Sequence, residues 1–278
     1  MNNAGIALVT GATNGIGYEL TRQLLADGWE VAALVRSDFR RDDPLVGASL
    51  ARGQLRTYRA ELTDYQSLRN ALKQVQSEER RLDALFNNAG GSFPKYDFSR
   101  QGRELHFELH GVVPYIILME LKELLRNGTM RTVINTSSSA LRMVKRFDPD
   151  KLERPDTFKK LIGPYATSKL ALSLWTRELA PSLAADGILM LSVDPGGNNT
   201  TRKGKPSGLP LLAKLMMKLI FPPPTHGASL LYQAATEAHR MPSGSFLLKN
   251  RPYELPFAQY GRQVLERVQA IYEKEYIA

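Results

Sequence analysis

The sequence predicts a doubly wound α/β fold, a mostly parallel seven-stranded sheet with helices on both faces. Two observations carry this. Short apolar runs alternate along the chain with longer helical patterns. The first run also ends in a glycine-rich turn that opens directly into a helix. Right-handed crossovers between parallel strands then put helices on both sides of the sheet.

The strands are expected at residues 6–10, 31–35, 82–86, 132–135 and 188–193, each a short, nearly continuous apolar run suited to a sheet buried on both faces. A weaker run at 54–60 and a short late one at 245–248 complete the seven. Helical patterns fall between them at 15–27, 65–78, 103–126, 164–185 and 225–238. No repeat or linker divides the chain, so residues 1–278 read as one domain. Two segments look inserted: 142–163, with Pro149 and Pro155, and 200–224, with five prolines around an apolar centre. Both follow strands and belong at the carboxyl edge of the sheet, where open α/β folds bind ligands.

Composition narrows the chemistry. With 43% hydrophobic and 23% charged residues, the chain can bury a sizeable core. The absence of cysteine excludes disulfides, thiolate metal sites and cysteine nucleophiles. The formal charge of +9 is spread over 36–41, 145–160 and 202–218 instead of forming one dense tract, which argues against nucleic-acid binding. The apolar run at 6–9 is too short for a signal peptide and has no basic residues before it. No run reaches the roughly 18 apolar residues of a membrane span. A soluble, cytoplasmic protein is the expectation.

The first strand leads into Thr10-Gly11-Ala12-Thr13-Asn14-Gly15-Ile16-Gly17. Gly11 permits the tight turn, Gly15 lets the backbone approach a pyrophosphate, and Gly17 lets the helix pack close to the sheet. The helix N-terminus offers amide donors and partial positive charge to phosphates. Thr13, Asn14 and Ile16 lie in the same loop. The second strand ends in Arg36, where a dinucleotide site that prefers NAD usually carries an acid. A guanidinium there suits the 2′-phosphate of NADP(H), and Arg40 and Arg41 add to the field. Asp38 works against this, and a surface arginine at a strand end is the plain alternative.

Tyr165-Ala166-Thr167-Ser168-Lys169 opens a helix and puts Tyr165 and Lys169 four residues apart on one face. A phenol is a poor acid or base near neutrality. A nearby ammonium favours the phenolate and fits it for proton exchange with a carbonyl or alcohol. Upstream, Asn135-Thr136-Ser137-Ser138-Ser139 ends a strand in three hydroxyls, and downstream lies Asp194-Pro195-Gly196-Gly197-Asn198-Asn199-Thr200.

Together these landmarks resemble the short-chain dehydrogenase/reductase family: its TGxxxGxG at 10–17, its NNAG at 87–90, its serine, its YxxxK and its PGxVxT. The resemblance implies a Rossmann-like, NADP(H)-dependent oxidoreductase with Ser138, Tyr165 and Lys169 as catalytic residues. Ser138 would orient the substrate oxygen, Tyr165 donate the proton in reduction, and Lys169 hold the nicotinamide ribose. It places Glu61 and Leu62 near adenine, Asn88, Ala89 and Gly90 along the adenosine side, and Pro195, Gly196 and Thr200 around the nicotinamide, with Tyr165 and Lys169 also touching cofactor. Glu61 stands one methylene longer than the family's aspartate, and Asn198 replaces an apolar residue. The long gap from Ser138 to Tyr165 and the apolar stretch before Pro222 are most similar to the retinol dehydrogenase-like branch.

One departure concerns the family's catalytic asparagine, whose position falls on His110 in Phe107-Glu108-Leu109-His110. The asparagine acts through its main-chain carbonyl, so a reduced or retuned activity is expected, not its loss. His106 lies four residues earlier, at metal-ligand spacing, but no carboxylate arrangement of the metalloprotease kind accompanies the pair. A hydrogen-bonded pair is expected and no metal. Residues 209–221 form an amphipathic run with Lys214 and Lys218 on one face. It reads as a lid over a hydrophobic carbonyl or alcohol substrate; peripheral membrane contact is the competing reading. A homo-oligomer is compatible with the resemblance. The rival functional class is a non-catalytic nucleotide-binding regulatory protein on the same scaffold.

Overall fold

The computed structural model describes residues 5–40, 42–197 and 222–278. Its strands are β1 (Ile6–Thr10), β2 (Glu30–Val35), β3 (Leu55–Arg59), β4 (Ala84–Asn87), β5 (Thr132–Thr136), β6 (Leu189–Asp194), β7 (Phe246–Leu248) and β8 (Arg251–Tyr253). They form one sheet in the order β3-β2-β1-β4-β5-β6-β7-β8. The first seven are parallel and match the expected runs; β8 is an eighth strand, antiparallel to β7, that the sequence reading lacks. It is joined to β7 through Lys249 and Asn250, both at positive φ (54° and 55°), the backbone of a tight two-residue hairpin.

Side chains alternate between the two faces of the sheet, as the two-residue period of a strand requires. Ala7, Val9, Val31, Ala33, Val35, Phe86, Ile134 and Leu191 enter one apolar layer. Leu8, Ala32, Leu34, Leu85, Val133 and Met190 enter the other. The first layer is closed by α1 (Gly15–Ala26), α2 (Pro44–Ala51) and α7 (Pro224–Thr236). The second is closed by α3 (Tyr65–Glu78), α4 (Leu105–Phe107 continuing to Glu120), α5 (Lys122–Arg126), α6 (Pro164–Ala184) and α8 (Gly261–Ile271).

The helix expected over 103–126 is not continuous. It starts at Leu105, widens into a π turn at Glu108–Val112, resumes as Val113–Glu120 and breaks at Leu121 before α5. Pro114 has no N–H to give the carbonyl four residues earlier, that of His110, so a regular α ladder cannot run through. The hydrogen bonds shift to π spacing, with the Val113 amide reaching Glu108. Trp175 Nε1 donates to the Gly111 carbonyl at 3.1 Å. The Glu108 carboxylate is buried and accepts from Tyr65, Ser99 and Arg103 at 2.8–2.9 Å. Arg103 in turn grips Glu275 with two bonds, which ties the C-terminal turn to this helix. Among the described residues, no helix is long and apolar enough to cross a membrane.

Candidate active site

The strand order reverses between β1 and β4, so their following loops diverge and open a crevice at the carboxyl edge of the sheet. Thr10 closes the base of that crevice. Its hydroxyl accepts from the amides of Asn88 and Ala89 at 2.9 and 2.8 Å, and Asn88 Nδ2 donates to the Thr10 carbonyl at 3.0 Å. The phosphate loop is thereby joined to the Asn88-Ala89-Gly90 turn. Gly11 and Gly15 take φ of +68° and +55°. A Cβ at Gly17 would sit 2.4 Å from both Asn88 Nδ2 and the Gly11 carbonyl oxygen, so the loop and α1 are packed as closely as a glycine permits. Asn14 stands at the N-cap of α1 with extended backbone but makes no side-chain cap, and the first turn holds no acidic residue. The N-terminal amides of α1 therefore remain available to an anion.

The three serines after β5 separate cleanly. Ser137 is buried and shares a hydrogen with Ser173 at 2.8 Å, which pins the strand end to α6. Ser139 faces an open cleft of about 940 Å³ whose other walls are Arg142, Met143 and residues 253–256. Ser138 accepts from the Ala140 amide at 3.2 Å, which leaves its own hydrogen to donate to the Tyr165 phenol. Lys169 is buried one turn along α6, and its Nζ donates to the Thr136 carbonyl at 2.6 Å. Ser138, Tyr165 and Lys169 thus meet where β5 ends against α6.

The electrostatics differ from the expectation. Burial pushes the Tyr165 phenol above its ordinary 10.0; the Ser138 hydrogen bond opposes that and the Asp194 carboxylate reinforces it. The phenol is therefore made less acidic here, where an acidified one was expected. Burial also pushes the Lys169 ammonium from 10.5 down to about 7, so near neutrality it is only partly charged. The cause is the same in both: each is removed from water without a full counter-charge.

His110 and His106 are both buried and hydrogen-bonded at both ring nitrogens. Nδ1 of His110 lies 3.0 Å from Ser168 Oγ, and its Nε2 accepts from the Gly91 amide at 3.3 Å. Nδ1 of His106 lies 2.7 Å from Glu104 Oε1, and its Nε2 accepts from the Phe93 amide at 2.9 Å. Burial first, then Lys169 and His106, hold His110 well below 6.5 and keep it neutral. The side chain of His110 is thus engaged as well as its main chain.

On the nucleotide side, Arg36 is exposed and meets Glu61 in a loose pair at 3.4 Å. The hydroxyls of Thr13 and Ser37 are 3.4 Å apart and bridge the phosphate loop to the end of β2. Ser37 was missed by the sequence reading, although its place directly after Arg36 was a usable signal. Leu62 is buried in the core, and the Glu61 amide donates to the Ser67 hydroxyl in the first turn of α3 at 3.0 Å. Asn87 and Asn135 were missed too: Asn87 donates to Asn135 at 2.9 Å and Asn135 to Thr176 at 2.8 Å, a buried line joining β4, β5 and α6. Pro195 and Gly196 follow β6, with Gly196 at φ +76°. Arg41, Asn198, Thr200 and the amphipathic run at 209–221 lie outside the described residues.

A family model for the short chain dehydrogenases matches residues 5–147, and the chain belongs to this family. Its sequence relatives put it in the retinol dehydrogenase-like branch. It is 29% identical over 193 residues to retinol dehydrogenase 12 of Mus musculus, a match that covers 69% of this chain and 60% of that one. It is 28% identical over 273 residues to polyprenol dehydrogenase of Homo sapiens, covering 95% and 82%. Among solved structures, the RhlG/NADP active-site complex of Pseudomonas aeruginosa superposes with a TM-score of 0.65 at 23% identity over 88% of this chain and 94% of that one, a likeness of fold.

Proposed function

We propose that the protein is an NADP(H)-dependent oxidoreductase that interconverts a carbonyl and an alcohol on a hydrophobic small molecule. The observation that carries this is the Ser138 hydroxyl directed at the Tyr165 phenol, beside a buried Lys169, at the open end of the dinucleotide crevice. The crevice fits the cofactor. The uncapped amides of α1 would receive its pyrophosphate, and the close approach enforced at Gly17 leaves that backbone bare. Arg36, held only by a loose pair, would turn to the 2′-phosphate, with the Thr13 and Ser37 hydroxyls beside it. When bound, NADPH supplies the hydride.

The chain supplies the proton and the orientation. A phenol held below its ordinary acidity is fully protonated near neutrality, which suits Tyr165 as the acid in carbonyl reduction. Ser138, donating a hydrogen bond at the same point, would polarise the substrate oxygen. A Lys169 near half-charge can return the proton to Tyr165. The relatives' names, retinol and polyprenol dehydrogenases, support an apolar substrate.

The test is NADPH oxidation with a panel of medium- and long-chain aldehydes, repeated with NADH. Turnover is expected to favour NADPH and to rise with chain length. Tight NADPH binding with no turnover on any carbonyl would overturn the reading.

A further inference from the structure

The loop that follows β4 carries Gly90, Gly91, Ser92 and Phe93 across the mouth of the site, with Gly90 and Gly91 exposed and no regular structure. What holds it is unusual. Both of its hydrogen-bonded amides, those of Gly91 and Phe93, end on imidazole nitrogens, His110 Nε2 at 3.3 Å and His106 Nε2 at 2.9 Å. Each imidazole is oriented from behind. Ser168 Oγ donates to the Tyr165 carbonyl at 2.9 Å, so its bond with His110 places the hydrogen on His110 Nδ1. The Glu104 carboxylate likewise accepts from His106 Nδ1, while its other oxygen caps the amides of His106 and Phe107 at 3.0 Å.

Both rings also stand edge-on to the Tyr165 ring, with centroids 5.9 and 5.6 Å away at 83° and 89°. The loop passes between the histidines and the lysine. A Cβ at Gly90 would meet His110 Nε2 at 3.0 Å and Lys169 Nζ at 3.6 Å. The spacing that first suggests a metal site thus has another use.

We infer that His106 and His110 are positioning residues: a pair of neutral imidazoles, each with its hydrogen on Nδ1, that clamp the 91–93 loop by its amides and pack together edge-on against the Tyr165 ring. A one-turn spacing on α4 matches the two-residue step from Gly91 to Phe93 along the loop. Neither ring has a nitrogen left to give a metal or a substrate. The consequence for nucleotide binding rests on the function proposed above, because the clamped segment continues directly from Asn88-Ala89-Gly90.

The wild-type chain tests the clamp without any variant. Nitrogen NMR shifts at neutral pH should show both imidazoles neutral, with the proton on Nδ1. An Nε2-protonated tautomer or a charged ring at either position overturns it. Amide hydrogen exchange gives the second arm. His106→Asn and His110→Asn keep a donor near the Nδ1 position but remove the acceptor; His106→Gln and His110→Gln keep an acceptor near Nε2. Exchange at Phe93 and Gly91 should quicken about tenfold in the Asn variants, as for loss of one hydrogen bond, and return close to wild type in the Gln variants. Equal behaviour of Asn and Gln variants overturns the clamp.

The third arm is functional. The Asn variants should raise the Kd for NADPH several-fold, with a smaller effect on kcat, and the Gln variants should restore it. A wild type that binds no nucleotide would overturn the proposed function, while the NMR and exchange arms would still decide the clamp.

Discussion

Lys169 should destabilise the protein it serves, and the cost should depend on pH in a defined way. Its ammonium is buried, with its ordinary 10.5 lowered to about 7. A folded-state value below the unfolded one means that protonation favours the unfolded chain. The cost is fully present below pH 7, falls as pH rises, and vanishes above 10.5. At 1.36 kcal/mol per tenfold change in proton affinity, it comes to about 4 kcal/mol at pH 7.0 and about 1 kcal/mol at pH 9.5. Lys169→Met removes it. The variant also abandons the 2.6 Å bond to the Thr136 carbonyl, a loss of about 1–3 kcal/mol that does not change with pH.

Urea denaturation of wild type and variant, without nucleotide, separates the two contributions. The stability of the variant relative to wild type should drop by about 3 kcal/mol between pH 7.0 and 9.5. A difference that stays the same at both pH values would refute the burial of an ionisable ammonium. Turnover should be lost in the variant at either pH, the usual trade between stability and function.

Other outcomes follow from named contacts. Arg36→Ala should raise the Kd for NADPH by roughly 10–100-fold, the worth of a charge-assisted hydrogen bond, while leaving NADH binding unchanged in titrations. Gly17→Ala forces a Cβ to within 2.4 Å of Asn88 Nδ2 and the Gly11 carbonyl; it should cost about 1–3 kcal/mol in denaturation and weaken both nucleotides. His110, held well below 6.5 by burial, stays neutral in the folded state. Its contribution is complete above pH 6.5 and is lost as pH falls, by about 1 kcal/mol at pH 5.5, and His110→Asn should remove that part of the slope.

What the sequence made legible was local or periodic. Ile6–Thr10 through Leu189–Asp194 are apolar runs buried on both faces, and the glycines of 11–17 have roles set by backbone sterics. Two helices were legible but unread. Asp43 caps α2 through the amides of Leu45 and Val46 with Pro44 in the first turn, and Val264, Val268 and Ile271 mark the buried stripe of α8. Others had no local signal. β8 is three exposed residues reached through a lysine and an asparagine at positive φ, a conformation that asparagine favours but lysine does not announce.

The site divides in the same way. Tyr165, Lys169 and Ser138 could be found by spacing, but which serine faces the phenol depends on Ser173 claiming Ser137 from another element. The burial that raises the Tyr165 phenol in the chain without nucleotide had no signal in the sequence, because spacing on a helix says nothing about burial. The role of the histidines lay in two loop amides that come together only in the folded chain.

The most direct measurement is a paired one on Tyr165→Phe: NADPH affinity by fluorescence titration and aldehyde reduction under saturating NADPH. Affinity within about threefold of wild type with reduction lost by at least about a thousandfold is the predicted result. Continued reduction at near wild-type rate would show that the proton reaches the substrate from somewhere other than this hydroxyl.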